Sequence, residues 1–241
     1  MEILNVGICE DDKTEQKVLL KLLEKSEYNI NTELFENGND MVNSYYPCKY
    51  DLILMDIYMP VMNGIEAVSK IREKDKHVPI AFITTSLDHA MDGYIHHVNR
   101  YLTKPFIESD IKEVLSLAAY EKKNLPSLRI RSGYSELDIP YMQIRYIEQR
   151  GHSMVLHLTG GRDEEINYKL SDIESLLPLP PFIKCHKSYI VNLIHVNFLN
   201  KDLLLFDMSE GGSVYIRRNS LKEIEDSYKK YMFECTRSIS E

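Results

Sequence analysis

Hydrophobic and polar positions alternate along the first 125 residues in two rhythms. Three short runs, "ILNVGIC" (3–9), "YDLILMD" (50–56) and "VPIAFIT" (78–84), are apolar almost throughout. That pattern is expected of strands buried on both faces. "NINTELF" (29–35) alternates like a strand, and "RYLTK" (100–104) reads as a short fifth one. Between them, "KTEQKVLLKLLEKS" (13–26) places Val18, Leu19, Leu22 and Leu23 at helical spacing. "GNDMVNSYY" (38–46), "NGIEAVSKIREK" (63–74), "LDHAMDGYIHHV" (87–98) and "ESDIKEVLSLAAYEKK" (108–123) are also read as helices. Asn63, with Glu66 three residues on, marks an N-cap. Five strand–helix alternations predict an α/β, doubly wound, five-stranded parallel sheet.

The rhythm changes after "YEKKNLPSLRIRSG" (120–133), a short stiff linker through Pro126 that runs into a strand. "SLRIRSG" (127–133), "YSELDIP" (134–140), "QIRYIEQRG" (143–151) and "SMVLHLTGG" (153–161) are short strands broken by Gly or Pro. "YKLSDIESLLP" (168–178) is a helix, with Ser171 and Glu174 at capping-box spacing and a stop at Pro178. "PFIKCHKSYIVNLIHV" (181–196) is apolar around a polar island. Two or three further strands turn at residues 200–202 and at Gly211-Gly212, and "NSLKEIEDSYKKYM" (219–232) closes the domain as a helix. The expected organisation is residues 1–123, a linker over 124–133, and a mostly β domain over 126–241. No helix-turn-helix pattern is present, so any DNA contact would come from strands and loops.

At 44% hydrophobic and 27% charged residues, the composition is that of a soluble globular protein. No apolar run reaches the ~20 residues of a membrane-spanning helix, and the start is too acidic for a secretory signal. A cytoplasmic protein is expected. The four cysteines show neither metal spacing nor a disulfide framework. The net charge of −8 argues against a general nucleic-acid coat. Residues 1–125 hold 14 Lys and Arg against 21 Asp and Glu, whereas residues 126–241 hold 15 against 16. The second half can therefore present a local basic face.

In a doubly wound sheet, ligands bind at the carboxyl ends of the strands. Those ends carry Glu10, Asp11 and Asp12; Asp56; Thr84 and Thr85; and Lys104 before Pro105. Crowded carboxylates repel one another, and a hard divalent cation such as Mg²⁺ is the simplest partner for them. Asp12 is read apart from this set, as an N-cap or solvated acid.

Glu10-Asp11, Asp56 in "DLILMDIYMPVMNG", Thr84 in "AFITT", and Tyr101 with Lys104-Pro105 in "YLTKPF" together resemble the receiver domain of bacterial response regulators, over roughly residues 2–123. The resemblance implies that Asp56 is the phosphoacceptor for a sensor histidine kinase. It implies Mg²⁺ held by Glu10, Asp11, Asp56 and a backbone carbonyl near Tyr58. Lys104 and Thr84 would bind phosphoryl oxygens, and Tyr101 would swing inward after Thr84. It also implies a cis peptide before Pro105, dimerisation through a face over roughly residues 88–120, and no enzymatic activity beyond self-phosphorylation and slow dephosphorylation.

The second half, through "YIEQRGHSMVLHL", "FIKCHKSYIVN" and "VYIRRNSLKEI", resembles the LytTR DNA-binding domain of accessory-gene-regulator type, over about residues 126–232. By resemblance His152, Lys187 and Arg218 (or Arg217, one residue away) would reach base edges in double-stranded DNA. Lys184, His186, Ser188 and Asn192 would hold phosphates or brace the loop, with bracing favoured for Asn192. Lys184, Lys187, Arg217, Arg218 and Lys222 would neutralise phosphates. His157 is read as structural. Cys185 is weighed as an oxidant-sensitive thiol and read as incidental. The expected whole is a phosphorylation-controlled transcriptional regulator that dimerises and binds promoter repeats. The alternative is a receiver-controlled protein-interaction module with a non-DNA output.

Overall fold

The computed structural model describes residues 3–85, 98–132 and 135–237, and the chain divides into two compact units, Met1–Leu125 and Pro126–Glu241. The helix expected over 87–98 falls outside the described residues, apart from Val98.

In the first unit, β1 (Ile3–Cys9), β2 (Asn29–Phe35), β3 (Leu52–Asp56), β4 (Ile80–Thr84) and β5 (Arg100–Thr103) form one parallel sheet in the order β2-β1-β3-β4-β5. Every residue of β3 and β4 is buried, as their continuous apolar runs require. The helices are α1 (Lys13–Glu24), α2 (Gly38–Ser44), α3 (Gly64–Lys74) and α4 (Glu108–Asn124). Two separate apolar clusters flank the sheet. Met41, Val68 and Ile71 of α2 and α3 pack with Met55 and Phe82, while Leu19 and Leu23 of α1 and Leu115 of α4 pack with Ile8 and Leu54. Asp12 caps α1, accepting from the Thr14 and Glu15 N–H groups, and Asn63 caps α3 through the Glu66 N–H.

Among the described residues the second unit contains three sheets. β6 (Ser127–Ser132) and β7 (Ser135–Pro140) pair antiparallel. β8 (Ile144–Arg150), β9 (Ser153–Leu158), β10 (Asp163–Ile166), β11 (Phe182–His186) and β12 (Tyr189–Asn192) form an antiparallel sheet in the order β10-β9-β8-β12-β11. β13 (Val196–Asn200), β14 (Leu205–Met208) and β15 (Ser213–Tyr215) form the third. A short α5 (Leu170–Glu174) and a closing α6 (Leu221–Arg237) complete the unit. One sequence expectation needs correction, and one strand lies where none was expected. The capping box at Ser171 does not form: the cap position is Lys169, without a side-chain bond, and the Ser171 hydroxyl instead faces Asp172. β10 was not foreseen, because its first three residues are exposed acids and only Ile166 turns into the core.

Candidate functional sites

Parallel pairing brings the ends of β1, β3, β4 and β5 to one edge. Glu10, Asp56 and Thr84 are buried there, while Asp11 is exposed. Ligand oxygens of Glu10, Asp11 and Asp56 all lie within 4.8 Å of one another. The Lys104 ammonium reaches into this group, donating to Glu10 Oε2 at 2.7 Å and to Asp56 Oδ2 at 3.3 Å. Burial favours neutral Lys104, but the Glu10 and Asp56 carboxylates outweigh it and hold the ammonium above its ordinary range. Burial pushes Glu10 up, and its bond from Lys104 opposes that. Three oxygen donors this close, one of them open to solvent, fit a hard divalent cation that keeps part of its water.

The backbone around this edge is tightly constrained. The Lys104 N–H donates to the Thr84 carbonyl at 2.9 Å, and the Lys104–Pro105 peptide is cis. The Tyr58 N–H donates to Asp56 Oδ1 at 3.3 Å. Tyr101 is half-buried, its ring 5.6 Å from that of Phe82. Two contributors escaped sequence reading. Gln16 is buried and donates to the Glu10 carbonyl at 2.6 Å. Gly64 leaves no room for a side chain: a Cβ there would lie 2.1 Å from the Asp56 carbonyl oxygen. The Asn63-Gly64 pair at the start of the helix that follows β3 was the available signal.

In the second unit, two backbone bonds gather the expected DNA-contacting segments. The Gln149 N–H donates to Ser188 O at 2.8 Å, tying the β8–β9 hairpin to the β11–β12 hairpin, and the Arg217 N–H donates to Cys185 O at 2.9 Å. His152 lies exposed at the first hairpin, after Gly151 at φ +60°, a left-handed turn position suited to glycine. Lys187 lies exposed at the second. His186 is half-buried: its Nδ1 accepts from the Ser188 N–H at 3.2 Å, and its ring packs on Tyr189. Arg217 and Arg218 are both exposed at the junction into α6, and Lys222 is exposed in its first turn.

The surroundings of three residues bear on the roles expected for them. Asn192 is fully buried, donating to Tyr141 O and Ile144 O and accepting from the Ile194 N–H, so it is a brace with no group left for DNA. Lys184 is paired with Glu174 at 2.5 Å and lines a cavity of about 470 Å³ with residues of α6, so the structure does not gather it with the hairpin tips. Cys185 is buried and its thiol is pushed up to about 12 by that burial, which removes the thiolate that oxidant sensing needs.

Comparison with known proteins follows the same division. The response regulator receiver domain model matches residues 6–116, and the LytTR DNA-binding domain model matches residues 136–229. The chain belongs to the LytTR response regulators. The sensory transduction protein LytT of Oceanobacillus iheyensis is 26% identical over 239 residues, spanning 93% of this chain and 97% of that protein. The transcriptional regulatory protein BtsR of Escherichia coli K12 is 24% identical over 245 residues, spanning 93% and 99%. The receiver domain of a Pseudomonas aeruginosa sensor histidine kinase, solved with a magnesium ion in its active-site cleft, covers 48% of this chain and 97% of its own at 27% identity and a TM-score of 0.44. As a LytTR response regulator the chain is a phosphorylation-controlled, DNA-binding regulator of transcription. Among the described residues, no helix is long and apolar enough to cross a membrane.

Proposed function

We propose that Asp56 is the phosphoacceptor of this LytTR regulator and that a sensor histidine kinase is the donor. The observation that carries this reading is the Lys104 ammonium lying between two buried carboxylates, 2.7 Å from Glu10 and 3.3 Å from Asp56. A carboxylate oxygen of Asp56 attacks the phosphorus of a phosphohistidine. The P–O bond forms as the P–N bond breaks, and the imidazole leaves to take a proton from solvent. Glu10, Asp11, Asp56 and the Tyr58 carbonyl are the residues that would hold Mg²⁺, which supplies charge neutralisation for the incoming phosphoryl group. Lys104 then follows the phosphoryl oxygens as a point charge. Thr84 donates its hydroxyl to another oxygen, and Tyr101 moves toward Thr84.

Phosphorylation acts through dimerisation, which makes the second DNA contact effectively intramolecular. His152, Lys187 and an arginine of the Arg217-Arg218 pair read base edges in the repeats, while Ser188 and Lys222 hold phosphates. The protein works where cytoplasmic kinases and promoter DNA are available, and its only chemistry is its own phosphoryl gain and loss. A gel shift with beryllofluoride and Mg²⁺, beside Asp56→Ala, tests the switch. Tighter binding and dimer formation in the wild type alone are expected. DNA binding indifferent to the mimic would overturn the control logic.

A further inference from the structure

The tip of the β8–β9 hairpin carries a cation that the sequence did not single out. Arg150 is the last residue of β8, directly before the Gly151-His152 turn, and its side chain is 55% exposed. The turn beside it is closed from within, because the Gln149 amide donates to Gly151 O at 3.0 Å and to Ser153 O at 2.9 Å. A long cation on an exposed tip ordinarily samples many rotamers. This one is held. The Arg150 Nε donates to Glu148 Oε2 at 2.8 Å, and its Nη2 lies 2.7 Å from the same oxygen.

Glu148 is itself anchored in the sheet. Its Oε1 accepts from the hydroxyl of Tyr189, its direct partner on β12, at 2.8 Å. Its Oε2 also lies 3.1 Å from His157 Nε2 on β9. Burial favours a protonated Glu148, but the bonds from Arg150, Tyr189 and His157 outweigh it and hold the carboxyl below its ordinary range. The carboxylate thus has one oxygen fixed on β12 and the other on the arginine. A guanidinium carries five N–H donors. With Nε and Nη2 turned to Glu148, Nη1 is left for a second anion.

We propose that Arg150 holds a DNA phosphate beside the His152 turn and that Glu148 is the positioning residue that presents it. Glu148 and Arg150 are two residues apart on β8 and so share one face of the strand. The Gln149 N–H bond to Ser188 O sets that tip against the tip that exposes Lys187. An arginine ordered before DNA arrives gives up less rotamer freedom on binding. Charge counting alone gives the opposite sign. Glu148 puts a negative charge behind a face that meets phosphates, so on charge alone its removal tightens binding. On positioning, its removal weakens binding. The proposal rests on the reading that these hairpins face DNA.

The test is fluorescence anisotropy of the full chain over a salt series, on a duplex that the chain itself enriches from a random-sequence pool. Arg150→Ala is expected to lower the slope of log affinity against log salt by about one. Glu148→Ala is expected to weaken binding about fivefold at about 0.15 M salt, and to add less than about twofold in an Arg150→Ala background. A Glu148→Ala variant that binds as tightly as wild type or more tightly overturns the positioning role. So does the full fivefold loss in the Arg150→Ala background, which would place the action of Glu148 elsewhere. An Arg150→Ala variant with an unchanged slope takes Arg150 off the DNA. Lys187→Ala runs beside it: if that variant also binds like wild type, the reading of the DNA face fails, and the proposal with it. Should Glu148→Ala fail to fold, Arg150→Lys decides, since it keeps the charge and loses the fork. It is expected to keep the wild-type slope at about threefold weaker affinity, and wild-type affinity overturns the proposal.

Discussion

In the receiver unit, Glu10, Asp56 and Thr84 are buried at the ends of strands that are inside along most or all of their length. In the LytTR unit, His152, Lys187, Arg217 and Arg218 are exposed at hairpin tips and a strand-to-helix junction. The first arrangement concentrates charge where water is scarce, so each group's state depends on its neighbours, and one substitution can abolish the chemistry. The second spreads solvated groups across a face. Each contributes a share, and the buried residues beneath decide whether the share is delivered. Phosphoryl transfer needs one nucleophile held in line. DNA binding needs several contacts in register.

The largest expected effect lies at the concentrated site. Asp56→Ala should reduce phosphoryl transfer by more than about 10³-fold, read as loss of the retarded band on a phosphate-affinity gel. The same substitution should not lower the melting temperature. Removing Asp56 takes a like charge away from Glu10 and leaves the 2.7 Å Glu10–Lys104 pair in place. A variant that lost both transfer and stability would make Asp56 a structural residue and break the contrast between the two regions.

The next effect concerns a histidine that differs in every respect from the exposed His152. His195 is buried, with Nε2 2.7 Å from the Met142 carbonyl, and burial, with the Arg145 charge adding to it, pulls its pKa from 6.5 to about 4. The folded value lies below the unfolded one, so the unfolded chain binds the extra proton between the two. The stability that neutral His195 contributes is complete above 6.5 and is lost as pH falls toward about 4. Urea unfolding should show a loss of up to about 3 kcal/mol over that window, and His195→Gln should lose visibly less. Equal losses would mean that His195 does not set the acid sensitivity of this unit.

How far these regions were legible in the sequence follows from the same contrast. Strand ends could be read because uninterrupted apolar runs such as "LILM" can only be buried, and the residue that ends such a run is fixed to one edge of the sheet. Asp12 and Asn63 as caps were legible because capping is local in sequence. Ser171 misled because capping spacing recurs by chance, and β10 was hidden because an edge strand of exposed acids has no apolar signature. Gln16 under Glu10, and Glu148 between two hairpins, act across spans of chain that no local pattern encodes. Arg217 and Arg218 stay ambiguous by one residue because both are exposed at the junction.

Asn192→Ala sharpens the distinction between bracing and contact. It strands the Tyr141 and Ile144 carbonyls and the Ile194 N–H, a loss of about 1–3 kcal/mol measured by urea unfolding. At temperatures where the variant is folded, its affinity for DNA should equal that of the wild type. A drop in affinity without a drop in stability would return Asn192 to the contact surface.

The smallest effect is the most diagnostic of a distributed face. Lys222 is exposed at the start of α6 and touches no base in this reading, so Lys222→Ala should weaken binding by a similar factor on every duplex. Each phosphate neutralised releases condensed counterions, so losing one contact should lower the slope of log affinity against log salt by about one. Lys187→Ala should instead weaken the enriched duplex more than a scrambled one, because a base edge is lost as well. A Lys222 variant with an unchanged salt slope would place that lysine off the DNA. A Lys187 variant that weakened both duplexes equally would make Lys187 a phosphate contact, leaving sequence readout to His152 and the arginine pair.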